Sequence, residues 1–216
     1  MQSSQPLREE IILFSKYPLP GRVKTRLIPH LGSRKAARLQ KYLTEQALAR
    51  AGEAASLRPA RLSLWYAGAS RRRMKAWLGS SLPLIPQQGK DLGERMARAF
   101  LAAWEQGIQR AVLIGSDCPA LSAGLILQGL AELGRHDLVL GPASDGGYYL
   151  IGLRRDLAPD ALAALFKDIP WGGSAVYRET LARAATAGLS FFSLQELHDI
   201  DRPEDLRHLG HHPDPQ

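Results

Sequence analysis

Short apolar runs alternate with stretches of helical spacing along most of the chain. The run Ile-Ile-Leu-Phe-Ser from Ile11 to Ser15 opens on two β-branched side chains, which predicts a buried strand. Lys16 to Gly21 contains prolines and a glycine and reads as irregular. Gly32-Ser33 offers a helix start with Ser33 as N-cap. Ala36, Leu39, Leu43 and Ala47 then repeat at helical spacing, and Gly52 is expected to stop that helix. Arg61–Ala67 reads as a strand and Ser70–Leu78 as a helix. Leu82–Pro86 reads as a short strand whose prolines place it at an edge or make it irregular. Asp91–Gln106 is a helix carrying Met96, Phe100 and Trp104 on one stripe. Ala111–Ile114 is a buried strand, Ser122–Leu133 a helix, and Asp137–Leu140 and Tyr148–Leu153 two more strands. Helical stretches near Pro159–Phe166 and Ser174–Ala187 follow, then a last strand, Leu189–Leu194, and a last helix, Pro203–Leu209.

Such alternation implies a mainly parallel sheet covered on both faces, a three-layer α/β/α sandwich. No internal repeat or linker interrupts it, so residues 1–210 are expected to form a single domain and 211–216 a flexible tail. Open α/β sheets bind ligands beyond the carboxyl ends of their strands. The chemistry should therefore lie in the loops that follow the strands.

Composition narrows the picture modestly. The chain has 216 residues, 45% hydrophobic and 23% charged, as in ordinary globular proteins. Its net charge of +7 favours anionic partners without choosing among them. The basic residues read as scattered, apart from Arg71-Arg72-Arg73 with Lys75, which reads as a solvated helix face rather than a nucleic-acid patch. The single cysteine, Cys118, excludes an intrachain disulfide and any cysteine-based zinc site of normal ligand count. Met1 to Glu10 lacks the apolar core of a signal peptide, and no apolar run reaches membrane-spanning length. The expectation is a soluble, cytoplasmic protein with no membrane or nucleic-acid partner.

Four loops carry candidate chemistry. After the first strand, Pro20, Gly21, Arg22, Lys24, Thr25 and Arg26 combine a glycine that permits close backbone approach with three cations suited to a polyphosphate. The alternative is a surface loop of solvated cations. The glycines of a Walker A loop and of a dinucleotide fingerprint are both missing. Gly115-Ser116-Asp117 follows the strand Ala111–Ile114, where a carboxylate is well placed to hold a divalent metal against phosphate oxygens. A helix N-cap is the plainer role for Asp117, and Cys118 beside it reads as buried filler. Asp145-Gly146-Gly147 combines a candidate base or hydroxyl-binding group with a turn able to approach a ligand, and it is equally a hairpin signal. Asp199 and Asp201 alternate, so in an extended segment they face one way and form a candidate second half of a metal site, Asp201 more than Asp199. Helix initiation at Pro203 accounts for the same acids.

Phe14-Ser-Lys-Tyr-Pro-Leu-Pro-Gly-Arg-Val-Lys-Thr-Arg-Leu27 resembles the opening of a bacterial family with the GT-A fold. That family is classed as glycosyltransferases, some linked to arsenosugar biosynthesis and many of unknown function. Lys24-Thr-Arg-Leu27 is also similar to the opening of 2-phospho-lactate guanylyltransferases. Both groups sit near the molybdopterin and sugar-phosphate nucleotidyltransferases. The Gly-Ser-Asp-x-Pro stretch at 115–119, Asp145-Gly-Gly-Tyr148, Gln88–Met96, Ile169-Pro-Trp-Gly-Gly-Ser174 and His198–Leu206 fit the same family in order. The resemblance implies metal binding by Asp117, a donor or acceptor pocket at Asp145, and stacking of a base or sugar on Trp171. Two departures stand out: Gly115 replaces the first acid of the Asp-x-Asp found in many GT-A glycosyltransferases, and Arg202 replaces a usual threonine. The resemblance implies a transferase that uses a nucleoside-diphosphate sugar with Mg²⁺ or Mn²⁺ and a small-molecule acceptor. Arg22, Lys24 and Arg26 would hold the pyrophosphate, with Ser116, Gly146 and Gly147 lining the nucleotide. A nucleotidyltransferase condensing a triphosphate with a phosphate-bearing substrate is the second reading. A non-catalytic nucleotide-binding module is the third.

Overall fold

The computed structural model describes residues 8–157 and 159–209. The expected tail at 211–216, with His211 and His212, lies outside the described residues, as does most of the polar start.

Seven strands form one sheet, in the order β3-β2-β1-β4-β6-β5-β7. They are β1 (Glu9–Lys16), β2 (Arg61–Ala67), β3 (Leu84–Pro86), β4 (Arg110–Ile114), β5 (Leu138–Pro142), β6 (Tyr148–Arg154) and β7 (Phe191–Ser193). β1 pairs in parallel with both β2 and β4, β2 with β3, and β5 with β7. β6 alone runs antiparallel, between β4 and β5. Its first residue therefore stands at the edge where the other strands end.

The pleat of β1 divides the core. Ile11 and Leu13 face one layer, with Ala47, Ala51 and Ala54 of α1 (Ile28–Leu57), Met74 of α2 (Arg71–Leu78) and Ile126 and Leu130 of α4 (Ala123–Glu132). Ile12 and Phe14 face the other, with Met96 and Phe100 of α3 (Leu92–Glu105), Leu162 and Leu165 of α5 (Pro159–Phe166) and Ala184 of α6 (Val176–Thr186). Ile11, Ile12 and Leu13 are fully buried. Each contributes about 1.5–3 kcal/mol by that burial. A smaller cluster joins Leu27, Ala36, Leu39 and Leu43 to Ile200, which brings the first loop against the last segment.

The sequence reading holds for most elements and needs three corrections. Gly52 does not end α1, which continues to Leu57. The break is at Gly32, where φ 77° and ψ 157° interrupt the helix before it restarts. A glycine inside a helix weakens it without stopping it when its face is packed, and Ala47, Ala51 and Ala54 pack on both sides of Gly52. The last strand shortens to Phe191–Ser193, at the sheet edge. Pro203–Leu209 winds as a 3₁₀ helix rather than an α-helix. Among the described residues, no helix is long and apolar enough to cross a membrane.

Candidate active site

Three segments meet at the carboxyl edge of the sheet. The first is the loop after β1. Its Lys24 takes a left-handed conformation, φ 47° and ψ 44°, ahead of the 3₁₀ turn Thr25–Leu27. That twist turns the Lys24 side chain inward until 3% of it is exposed. Lys24 Nζ lies 2.7 Å from Asp117 Oδ1 and donates to the Ile200 carbonyl at 2.5 Å.

The second segment follows β4. Ser116 is buried and accepts a hydrogen bond from Gln40 Nε2 on α1 at 3.1 Å. Gln40 Nε2 also lies 3.2 Å from Thr44 Oγ1, which is 2.7 Å from Ser15 Oγ at the end of β1. This buried polar chain ties the ends of β1 and β4 to one helix. Asp117 is half exposed, and its carbonyl accepts from the Ile200 amide at 2.9 Å. Cys118 is buried, and that burial, with Asp199 and Asp117 nearby, pushes its thiol up. A nucleophile would need the thiolate, so Cys118 is packing.

The third segment is the turn between β5 and β6 together with the chain after β7. Asp145 Oδ1 accepts from the Gly147 amide at 2.8 Å, so the predicted hairpin is present. Gly146 (φ 89°) lies so close to the loop before α6 that an added Cβ would stand 2.1 Å from the Ser174 carbonyl oxygen. Its own carbonyl accepts from the Tyr177 amide at 2.9 Å. After β7 the chain stays beside this turn, with the Leu197 amide donating to Pro142 and the Ser144 amide to Leu197. It then crosses to Asp117 through Ile200, which delivers Asp199 between Asp117 and Asp145.

These segments enclose a cavity of about 450 Å³. Lys16, Lys24, Ser116, Asp117, Asp145, Gly147, Asp199 and Asp201 all line it. A second cavity of about 380 Å³ shares Asp145, Gly172, Asp199 and Asp201 and adds Arg26, Arg202 and Asp205. Burial and the adjacent Asp145 and Asp117 carboxylates push Asp199 up to about 6. Among the described residues no three His, Cys, Asp or Glu side chains form a ready metal cluster.

Of the residues singled out in sequence, Lys24, Ser116, Asp117, Asp145, Gly147 and Asp201 come together here, and Arg26 reaches the second cavity. Asp201 is paired with Arg26 at 2.5 Å. Gly146 serves the turn from behind, and Pro20, Gly21, Arg22 and Thr25 stay exposed outside both linings. Gln40, Gln87 and Arg95 also line the cavity. Gln87 and Gln40 carried no sequence signal. Gln40 looked like one polar position in a helix, whereas its burial with Thr44 at i+4 marks the face turned to the sheet. Trp171 forms a side wall, packed against Gly93 and Phe166. A Cβ at Gly93 would come within 2.6 Å of its ring.

Residues 47–173 match the model of a family described as an uncharacterized protein conserved in bacteria (DUF2064). A protein from Desulfovibrio desulfuricans G20, named provisionally a nucleotide-diphospho-sugar transferase, is 38% identical, with a TM-score of 0.85 over 94% of this chain and 86% of that one. The chain belongs to the DUF2064 family. Two more distant structures share the fold of this DUF2064 protein. One is the 4-diphosphocytidyl-2C-methyl-D-erythritol synthase of Anaerococcus prevotii, 11% identical, with a TM-score of 0.61 over 94% of this chain and 95% of that one. The other is a Mycobacterium tuberculosis protein solved in complex with manganese, 16% identical, with a TM-score of 0.56 over 95% and 98%. No curated protein matches significantly. The likeness places the chain among nucleotidyl- and sugar-transferase-like folds. The arsenosugar and guanylyltransferase subtypes are finer than it resolves.

Proposed function

We propose that this DUF2064 protein is a metal-assisted transferase that moves a sugar from a nucleoside-diphosphate donor to a small hydroxyl-bearing acceptor. The observation that carries the reading is the meeting of Lys24 with Asp117, Asp145 and Asp199 around one cavity at the strand ends. A volume of about 450 Å³ is within the range of small-molecule sites. The name of the relative from D. desulfuricans supports sugar transfer over other chemistries.

The residues fit a divalent cation of the Mg²⁺ or Mn²⁺ kind. Asp117 and Asp199 are hard oxygen donors on one cavity, and Asp117 is half exposed toward it while its Oδ1 meets the Lys24 ammonium. Such ions keep several waters, so one or two carboxylates suffice. Bound there, the cation would neutralise charge on the donor phosphates. Lys24 fixes the Asp117 carboxylate, and its remaining proton and the Arg26 guanidinium offer donors to the diphosphate as it departs. Asp145 has one oxygen committed to the Gly147 amide and the other free to take the acceptor hydroxyl proton. Asp201, expected as a metal ligand, serves here to hold Arg26, and Asp199 takes the ligand role.

Nucleotidyl transfer is the second reading. A buried ammonium beside a metal-binding carboxylate equally suits in-line attack at an α-phosphate. Calorimetric titration with nucleoside di- and triphosphates, with and without Mn²⁺, tests the assignment. Metal-dependent binding of a diphosphate and its sugar conjugates is expected, weakened at least about tenfold in Asp117→Asn with the fold intact. A clear preference for a triphosphate, with pyrophosphate released on adding a phosphorylated acceptor, would replace sugar transfer by the second reading. Binding indifferent to metal and to Asp117 would remove the metal site, and with no turnover it would leave a binding module.

A further inference from the structure

The net charge of +7 is concentrated rather than scattered. Eight of the chain's 28 Lys and Arg, and none of its 21 Asp and Glu, fall between Ile11 and Thr44. The rest of the chain is close to neutral, the Arg71–Arg73 run included.

This segment is the end of β1, the loop after it and the first half of α1. A helix that follows a parallel strand starts at the edge where the strand ended, so the cationic stretch lies at the same edge of the sheet as the cavity. Gln40 lines the cavity. Arg34 stands about 9 Å from Gln40 along the helix axis, within roughly one Debye length at physiological salt. Three of the cations have acidic partners: Lys24 with Asp117, Arg26 with Asp201 and, more loosely, Lys41 with Glu45 at 3.7 Å. Lys16, Arg22, Arg34 and Lys35 are exposed and have no ion-pair partner among the described residues. Arg34 and Lys35 also stand where a helix disfavours them. α1 restarts after Gly32, and cations in the first turn oppose the helix dipole, where acids would stabilise it. Their charge works against local stability, which points to a use outside the helix.

We propose that Lys16, Arg22, Arg34 and Lys35 form a cationic collar that draws the anionic nucleotide donor into the cavity, setting its rate of capture. The proposal rests on the donor reading above. Lys16 lines the cavity and Arg22 lies two residues from Lys24, so the collar closes on a small-molecule site. That favours a nucleoside polyphosphate over nucleic acid or an anionic bilayer. Charge at a cleft mouth raises association rates by about 10–10³-fold and loses the effect in salt. Arg34 and Lys35 lie outside the cavity lining, so replacing them should leave dissociation unchanged.

The test is stopped-flow association of N-methylanthraniloyl ADP, GDP, CDP and UDP, with Mg²⁺, to the full chain and to Arg34→Glu/Lys35→Glu. At about 20 mM salt the variant's association rate is expected to fall about tenfold, with dissociation within about twofold of the parent. At about 500 mM salt the two should converge. The variant's Tm should rise, because acids now meet the helix start. If it falls instead, Arg34→Gln/Lys35→Gln must show the same salt-dependent slowing, to a smaller degree. Equal association rates at low salt, or a change confined to dissociation, overturn the collar. A parent that binds none of the four nucleotides overturns the donor reading and the collar together, which differs from a parent and variant that bind at one rate. If the variant loses binding to phosphatidylglycerol vesicles or a single-stranded oligonucleotide while nucleotide association is unchanged, the surface belongs to a macromolecular polyanion and the proposal fails.

Discussion

Lys24 holds a left-handed backbone conformation that costs a non-glycine residue about 1–2 kcal/mol. The surrounding contacts outweigh that cost through one ammonium shared by a carboxylate and a carbonyl. Lys24→Met keeps the length of the side chain and removes both contacts. It is expected to lower stability by about 1–3 kcal/mol, read as a shift in urea midpoint at constant m. Lys24→Gly relieves the backbone but also removes the buried methylene stem and leaves a cavity, so it should be no more stable than Lys24→Met. A Lys24→Met protein as stable as the parent would mean that the buried pair holds nothing. Asp117 was legible as a residue because it follows a strand. Its partner was not, since nothing local announces that an ammonium placed early in the chain will turn inward rather than face solvent.

At the scale of elements, periodicity and caps gave most of the fold: Ser70, Asp91 and Ser122 cap α2, α3 and α4 through side-chain oxygens as their residue types imply. Glycines were harder to read, because the same residue marks a break at Gly32 and a packed helix face at Gly52. Which role applies depends on neighbours far away in sequence. The pairing of Asp201 was hidden for a similar reason: alternation puts Asp199 and Asp201 on one side of an extended segment, and only the tertiary structure brings Arg26 to Asp201. The turn between β5 and β6 shows the strength of such distant constraints. Gly146→Ala adds a methyl group against the Ser174 carbonyl at a backbone angle that disfavours it. A loss of about 1–3 kcal/mol is expected, with Asp145 displaced. Thermal unfolding checks the first, and acceptor KM the second. Unchanged stability would show that the loop before α6 yields freely.

At the scale of the molecule, the two edges of the sheet hold different kinds of charge. Opposite the site, Glu9 pairs with Arg58 and, at 3.3 Å, with Arg110, while the buried Glu10 accepts from Ser63 at 2.6 Å. Burial raises the Glu10 carboxyl above its ordinary range, against the opposing pull of Ser63 and Arg61. A raised acid binds its proton more tightly folded than unfolded. Its contribution is therefore complete below the unfolded value and is lost as pH rises through the folded one. Glu10→Gln should flatten that part of the stability curve, so the difference between parent and variant should change with pH from about 4.5 upward. Parallel curves across that range would mean that Glu10 is solvated in solution.

The amide and carbonyl of Ile200 close the site by binding Asp117 and Lys24. Chains are made from the amino end, so the cationic loop is synthesised long before the residue that receives it. During synthesis the nearly complete sheet waits with that ammonium short of its carbonyl partner and the Asp117 carbonyl unclasped. A message cut short before codon 200 would yield a protein with most of its core and without the clasp that joins Lys24 and Asp117 to the last segment. The three segments of the cavity are thus joined only as the last of them leaves the ribosome.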